Sequence, residues 1–111
     1  MTRVIDMPTG AEMNKPTDLN GDVQITFSSS NNINGVFFGV TPTNEIWQNN
    51  FITGINQELT IHTLAMTKVM EFPWGIAFVN HFPEAKRFDF DKDGQLHIFT
   101  ATHKQLVFVR S

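Results

Sequence analysis

Asp89-Phe90-Asp91-Lys92-Asp93-Gly94 is the stretch whose residue types and spacing come nearest to chemistry. Three carboxylates two residues apart, followed by a glycine that turns the chain, match the first half of a calcium loop, D-x-D-x-D-G, and would wrap a hard cation with oxygen ligands. The second half is missing. Counted from Asp89, the twelfth position is Thr100 rather than a bidentate Glu, and the flanking residues alternate like strands rather than helices. Asp and Gly are favoured in tight turns for their backbone behaviour alone. Asp89, Asp91 and Asp93 are thus weak calcium candidates that read better as a hairpin turn, and no metal or other cofactor is expected.

Histidine offers the next possibility. His62, His81, His97 and His103 have no i, i+2 or i, i+4 partner among themselves, so a metal site would have to be assembled by the fold. The register that follows from the Asp-rich turn places His97 opposite Asp89. A carboxylate that orients an imidazole is the geometry of a general base, which makes His97 and Asp89 the candidate catalytic pair. Such a cross-strand pair is more often a surface contact worth about a few tenths of a kcal/mol. No Ser sits in a nucleophile elbow, and no Gly-rich phosphate loop precedes a helix. The chain has no Cys, which excludes disulfides, thiolate metal sites and a Cys nucleophile.

Binding without catalysis has its own residues. Trp47 and Trp74 are flat aromatic faces of the kind on which sugars and bases stack. Asn31, Asn32, Asn34, Asn44, Asn49 and Asn50 are expected to crowd two loops, and amides suit neutral, hydroxyl-rich ligands. Trp47, Trp74, Asn49 and Asn50 are therefore the candidate ligand-binding residues. Core packing competes with this reading for Trp, and turn formation for Asn.

The elements that must position these residues are clearest from Lys86 to Arg110. Lys92-Asp93-Gly94 has the pattern of a three-residue hairpin loop with Gly94 in the left-handed conformation. That loop pairs Asp91 with Gln95, Phe90 with Leu96, Asp89 with His97 and Phe88 with Ile98. Phe88, Phe90, Leu96 and Ile98 then share one face, as alternation along strands requires. A second hairpin is expected to turn at His103-Lys104, a two-residue loop that pairs Phe99 with Phe108 and Ile98 with Val109. Apolar residues then lie on both faces of the C-terminal strands. Ile98, Phe99, Phe108 and Val109 become the expected interface of a homo-oligomer, since an uncovered apolar face favours association.

Upstream, Asp22–Phe27 alternates as a half-buried strand and Gly35–Val40 is a dense apolar one, where Gly39 marks a bulge or a close backbone approach. Thr43–Glu58 fits either a short helix, with Trp47, Phe51 and Ile55 at i, i+4 and i+8, or a strand; Leu59–Phe72 leans to a bent strand. Ile76–Phe82 is expected to be a strand. Residues 1–21 are polar and punctuated by Pro and Gly, and are expected to be a flexible or partner-docking arm ahead of a single β domain spanning 22–111.

Composition narrows the classes. A net charge of −3, with eight Lys and Arg that form no cluster, argues against nucleic acid. No run approaches the roughly 18 apolar residues of a membrane span, and the N-terminus lacks the apolar core of a signal peptide, so a soluble chain with no membrane partner is expected. The expected architecture is mainly β: an antiparallel β-sandwich or partly open barrel with at most one short helix. The expected function is that of a non-enzymatic interaction subunit forming a homo-oligomer. Two alternatives stand beside it: a module for a small neutral ligand such as carbohydrate, and a small β enzyme with a fold-assembled His/Asp site.

Overall fold

The computed structural model describes residues 1–18 and 21–110. Among these residues nine strands form two antiparallel sheets, joined by connections that include one short helix, the β-sandwich expected from the alternation. One sheet has five strands in the order β2 (Glu12–Asn14), β1 (Arg3–Asp6), β9 (Lys104–Phe108), β8 (Leu96–Thr100) and β7 (Ala85–Phe90). The other has four in sequence order: β3 (Gln24–Ser28), β4 (Asn34–Val40), β5 (Glu45–Thr53) and β6 (Leu59–Ile61). A bridge between Glu58 and Arg87 ties the β6 rim of one sheet to the β7 rim of the other.

The β7–β8 hairpin has the register that its turn demands, with Phe88 opposite Ile98, Asp89 opposite His97 and Phe90 opposite Leu96. Gly94 has φ +78°, and its N–H donates to the Asp91 carbonyl at 3.0 Å. A β-branched residue is poorly tolerated there, so Gly94→Val is expected to cost roughly 1–2 kcal/mol. Chemical denaturation of the variant measures this, and an unchanged midpoint would count against the assignment.

The β8–β9 hairpin departs from expectation. Ile98 lies opposite Leu106 and Leu96 opposite Phe108, a shift of three residues from the expected pairing. The loop is Ala101-Thr102-His103, with His103 in the left-handed region at φ +62° where the first hairpin uses Gly94. The Thr100 hydroxyl secures it, accepting the Lys104 N–H at 3.1 Å and donating to the Lys104 carbonyl at 2.8 Å. Because a shift by an odd number exchanges the two faces of a strand, the change is large. Leu96, Ile98, Leu106 and Phe108 all face the core, each gaining roughly 1.5–3 kcal/mol from burial, whereas the two-residue loop would have divided them between faces. The expected interface dissolves with that register. Ile98 and Phe108 are buried, Phe99 is half-buried under the Arg87 guanidinium at 4.2 Å, and Val109 lies beyond the end of β9.

The N-terminal segment is also no detached arm. Val4 is buried between Leu106 of β9 and Met13 of β2, so residues 3–14 extend the chain's own sheet instead of reaching outward. Met1 is buried, and its ammonium donates to the Val23 carbonyl at 2.7 Å.

The segment expected as a strand at Ile76–Phe82 belongs to the helix α1 (Pro73–His81) and the 3-10 turn Phe82–Glu84 that follows it. Trp74, Phe78 and Phe82 fall at i, i+4 and i+8 and bury one common face, while Pro73 sits at the first helical turn where its missing N–H costs nothing. Phe78 stacks on Phe82 at 4.7 Å, and Phe82 meets Phe37 edge-on at 5.3 Å, which anchors the helix to the four-stranded sheet. The similar spacing of Trp47, Phe51 and Ile55 carries no helix. Only Phe51 is buried, and the segment is β5 followed by a 3-10 turn at Ile55–Gln57. Of residues 59–72, Leu59–Ile61 alone form a strand, and Met66 adds a single bridge to Ile46.

Candidate functional site

Strand β4 sets the character of the outer face of the four-stranded sheet. Its sequence, Asn-Gly-Val-Phe-Phe-Gly-Val, turns Phe37 into the core and leaves Val36, Phe38 and Val40 on the opposite side. A strand apolar on both sides is unusual in an antiparallel sandwich, where one face normally meets water. Phe38 is 42% exposed, and across from it β5 carries two residues, Trp47 and Gln48, where regular pairing would place one. This bulge interrupts the alternation: after the buried Ile46, Trp47 and Gln48 are both exposed, Trp47 to 55%. Asn50 and Ile52 continue the exposed side of β5, opposite Val36 and Asn34. Glu45, opposite Val40, is the one charged residue among the outward positions of these strands. The result is an uncharged face with an aromatic centre.

The structure separates the expected ligand residues. Trp47 is displayed, and Asn50, three residues further along β5, is exposed. Trp74 is 1% exposed in the core, with its indole N–H 3.4 Å from Asp22 Oδ1. Asn49 is half-buried and donates to the carbonyls of Trp47 and Ala65, at 3.1 and 3.4 Å, so its amide braces the bulge. Phe38, Val40 and Ile52 were not among the sequence-derived candidates. The signal for the first two was present in the Val36, Phe38, Val40 alternation, set against two glycines and one Phe on the other side.

The candidate catalytic pair rearranges. His97 stands across from Asp89 in register, yet its ring bonds elsewhere: Nε2 lies 2.8 Å from Asp91 Oδ2 and Nδ1 2.5 Å from Gln105 Oε1. The Asp89 carboxylate instead accepts the Phe90 N–H at 2.8 Å. Both imidazole nitrogens are engaged, so the ring links β8 to β9 and to the hairpin turn and has neither nitrogen left to meet a substrate. The His97 hydrogen bond, followed by the N–H groups of Gln95 and Asp93, holds the Asp91 carboxyl below the usual carboxylate range. Asp91 thus serves the turn and the imidazole together. Among the described residues no group of three or more His, Asp or Glu is arranged to hold a metal ion, and no helix is long and apolar enough to cross a membrane.

A second polar cluster lies at the start of α1. Glu71 Oε1 accepts the hydroxyls of Thr41 and Thr43, the Thr43 N–H at 3.3 Å and the Asn44 amide at 2.7 Å. Burial pushes this carboxyl up, but the hydrogen bonds from Thr41, Thr43 and Asn44 outweigh it and leave it below its ordinary value. Oε2 is buried without a hydrogen-bond partner and occupies the space that a side chain on Gly75 would need. Asn44 continues the network by accepting from Thr67 Oγ1 at 2.8 Å and the Val69 N–H at 2.7 Å. With every donor drawn from the chain itself, the cluster clamps the β4–β5 turn to the helix.

Comparisons with protein-family models, with curated proteins and with solved structures return no match for this chain, so its function rests on the geometry alone.

Proposed function

We propose that this protein is a non-enzymatic interaction subunit that self-associates through the outer face of its four-stranded sheet. The observation that carries this reading is the exposed cluster of Phe38, Val40, Trp47 and Ile52 on a face whose strands bring a single charge, Glu45. Contiguous exposed apolar residues mark interaction surfaces on soluble folds. A second copy suits this face because its centre sets no like charges against each other, whereas elsewhere two chains of net charge −3 repel. Pairing about a two-fold axis is the commonest closed arrangement and places each Trp47 near the partner's aromatic residues.

Light scattering from tens to hundreds of micromolar is expected to show a dimer mass. Phe38→Glu is expected to return the monomer with an unchanged far-UV spectrum, since the side chain is not part of the core. Trp47 provides an internal reporter: its emission should shift to the red on dilution, while the buried Trp74 keeps its own. A monomer mass throughout, with emission independent of concentration, would sink the proposal. The exposed indole of Trp47, with an exposed Asn50 on the same strand, also supports a second reading, a sugar stacked on Trp47. Under that reading emission responds to added oligosaccharide and not to dilution.

A further inference from the structure

Among the described residues, β3 ends the four-stranded sheet with no strand on its outer edge. Among the described residues, the backbone of Gln24–Ser28 makes hydrogen bonds to β4 and to nothing else. The strand also lacks the usual protections of an edge: it contains no Lys, no Pro and no inward-pointing charge.

A groove of about 490 Å³ follows this edge and is bordered by six consecutive residues, Asp22 to Phe27. Successive side chains of a strand point to opposite faces. A hollow that meets Gln24, Ile25, Thr26 and Phe27 in succession therefore meets β3 edge-on, where its unpaired N–H and C=O groups project. Phe90 and Leu96 of the β7–β8 hairpin, and Arg110 beyond β9, lie along the groove as well.

At Phe27, Phe90 and Leu96 the groove adjoins a smaller cleft of about 170 Å³, completed by Phe51, Leu59 and Phe88 together with Thr53. The Thr53 hydroxyl is directed to the carbonyls of Asn32 and Ile33, at 2.9 and 3.1 Å, so the cleft walls offer no free polar partner. A dry apolar cavity of roughly 150 Å³ admits a benzene ring, so this cleft is sized for one Phe or Leu side chain.

From the free edge, the edge-on groove and the adjoining cleft, we infer that β3 is a docking site for an extended peptide. The peptide adds a strand beside β3 and seats one bulky apolar side chain in the cleft. Main-chain pairing supplies affinity in this mode, and the pocket for an alternate side chain supplies specificity. The four groove-lining residues of β3, Gln24 to Phe27, span roughly 13 Å, which sets the length of strand pairing the groove takes. The partner is a neutral, strand-forming segment: a lone acyl chain fills the cleft but leaves the β3 backbone groups unpaired. The site is separate from the outer face of the sheet, and either can fail without the other.

Fluorescein-labelled Thr-Val-Thr-Xaa-Thr-Val-Thr peptides, with Xaa Phe, Leu or Ser, provide the test on the full chain. Fluorescence polarisation is expected to show the Phe or Leu peptide binding at least tenfold more tightly than the Ser peptide. N-methylation at alternate residues is expected to weaken binding at least tenfold, because it removes the donors facing β3. Amide hydrogen exchange should slow within Gln24–Ser28 when peptide is present. Leu96→Trp, which fills the cleft, should weaken the Phe peptide at least tenfold. Phe90→Ser, at a cleft-lining side chain already 54% exposed, is expected to weaken the Phe peptide at least tenfold with an unchanged far-UV spectrum. The inference is overturned if no peptide binds at 1 mM, or if the Ser or N-methylated peptides bind equally well. It is also overturned if octanoate occupies the cleft while peptides fail to compete, or if β3 amides become protected with protein concentration alone, which would assign the edge to a second copy.

Discussion

Gly39→Ala is expected to destabilise the protein by about 3 kcal/mol, at the upper end of what overpacking costs. A Cβ at this position would lie 1.9 Å from the Gln24 carbonyl oxygen and 2.9 Å from its carbon. These atoms belong to the backbone of β3, which cannot turn aside as a side chain does. Moving β3 away would strain its pairing with β4, where Ile25 lies opposite Gly39, and draw Phe27 from the aromatic core. In a domain of this size the loss corresponds to a fall of roughly 10 °C or more in the thermal midpoint. The glycine thus serves close packing at the bulge and not a special backbone angle. A midpoint within about 2 °C of the parent would show that β3 does not approach so closely.

Glu71→Ala is expected to cost a similar amount, about 3 kcal/mol, for a different reason. It deprives Thr41, Thr43 and Asn44 of their common acceptor, and Thr41 and Asn44 are both buried. The Asn44 amide keeps the Val69 carbonyl and the Thr41 hydroxyl the Asn44 carbonyl, so the loss is that of hydrogen bonds to a charged group, about 1.5–3 kcal/mol each. Glu71→Gln, which keeps the shape and one acceptor oxygen, should recover part of the loss. Acid adds an independent check. The folded carboxyl titrates below its ordinary value of 4.5, so its contribution is complete at neutral pH and is lost as pH falls from that value through the lower folded one. Thermal midpoints measured between pH 7 and pH 3 should therefore converge for the parent and Glu71→Gln at the acid end. Parallel curves would show that the charge of Glu71 contributes nothing.

Of the stretches in which the sequence suggested chemistry, the Asp-rich turn is the one whose geometry was legible. Gly94 and the alternation of Phe88, Phe90, Leu96 and Ile98 determine that hairpin locally, because a positive φ and a two-residue period leave one register. The β8–β9 hairpin was not legible in the same way. Its left-handed residue is His103, which no local rule singles out over a neighbouring turn, and the choice fell to whichever register buried Leu106 and Phe108 beside Ile98. His97 shows the same limit at the level of a side chain. Strand pairing brings Asp89 opposite it, but rotamers and the fold of the turn give its nitrogens to Asp91 and Gln105.

The helix was written in Pro73, Trp74, Phe78 and Phe82, yet the β-branched and aromatic residues among them fit a strand equally well. Only the aromatic core that receives Trp74, Phe78 and Phe82 on one face decides between the two. For the candidate sites the division is sharper still. Sequence alone determined a cysteine-free, mainly β chain with two Trp. Which Trp is displayed, which face of β4 stays in water and which edge lies open depend on how the two sheets meet. Burial is a property of surfaces from distant segments, and no window of the chain contains both of them.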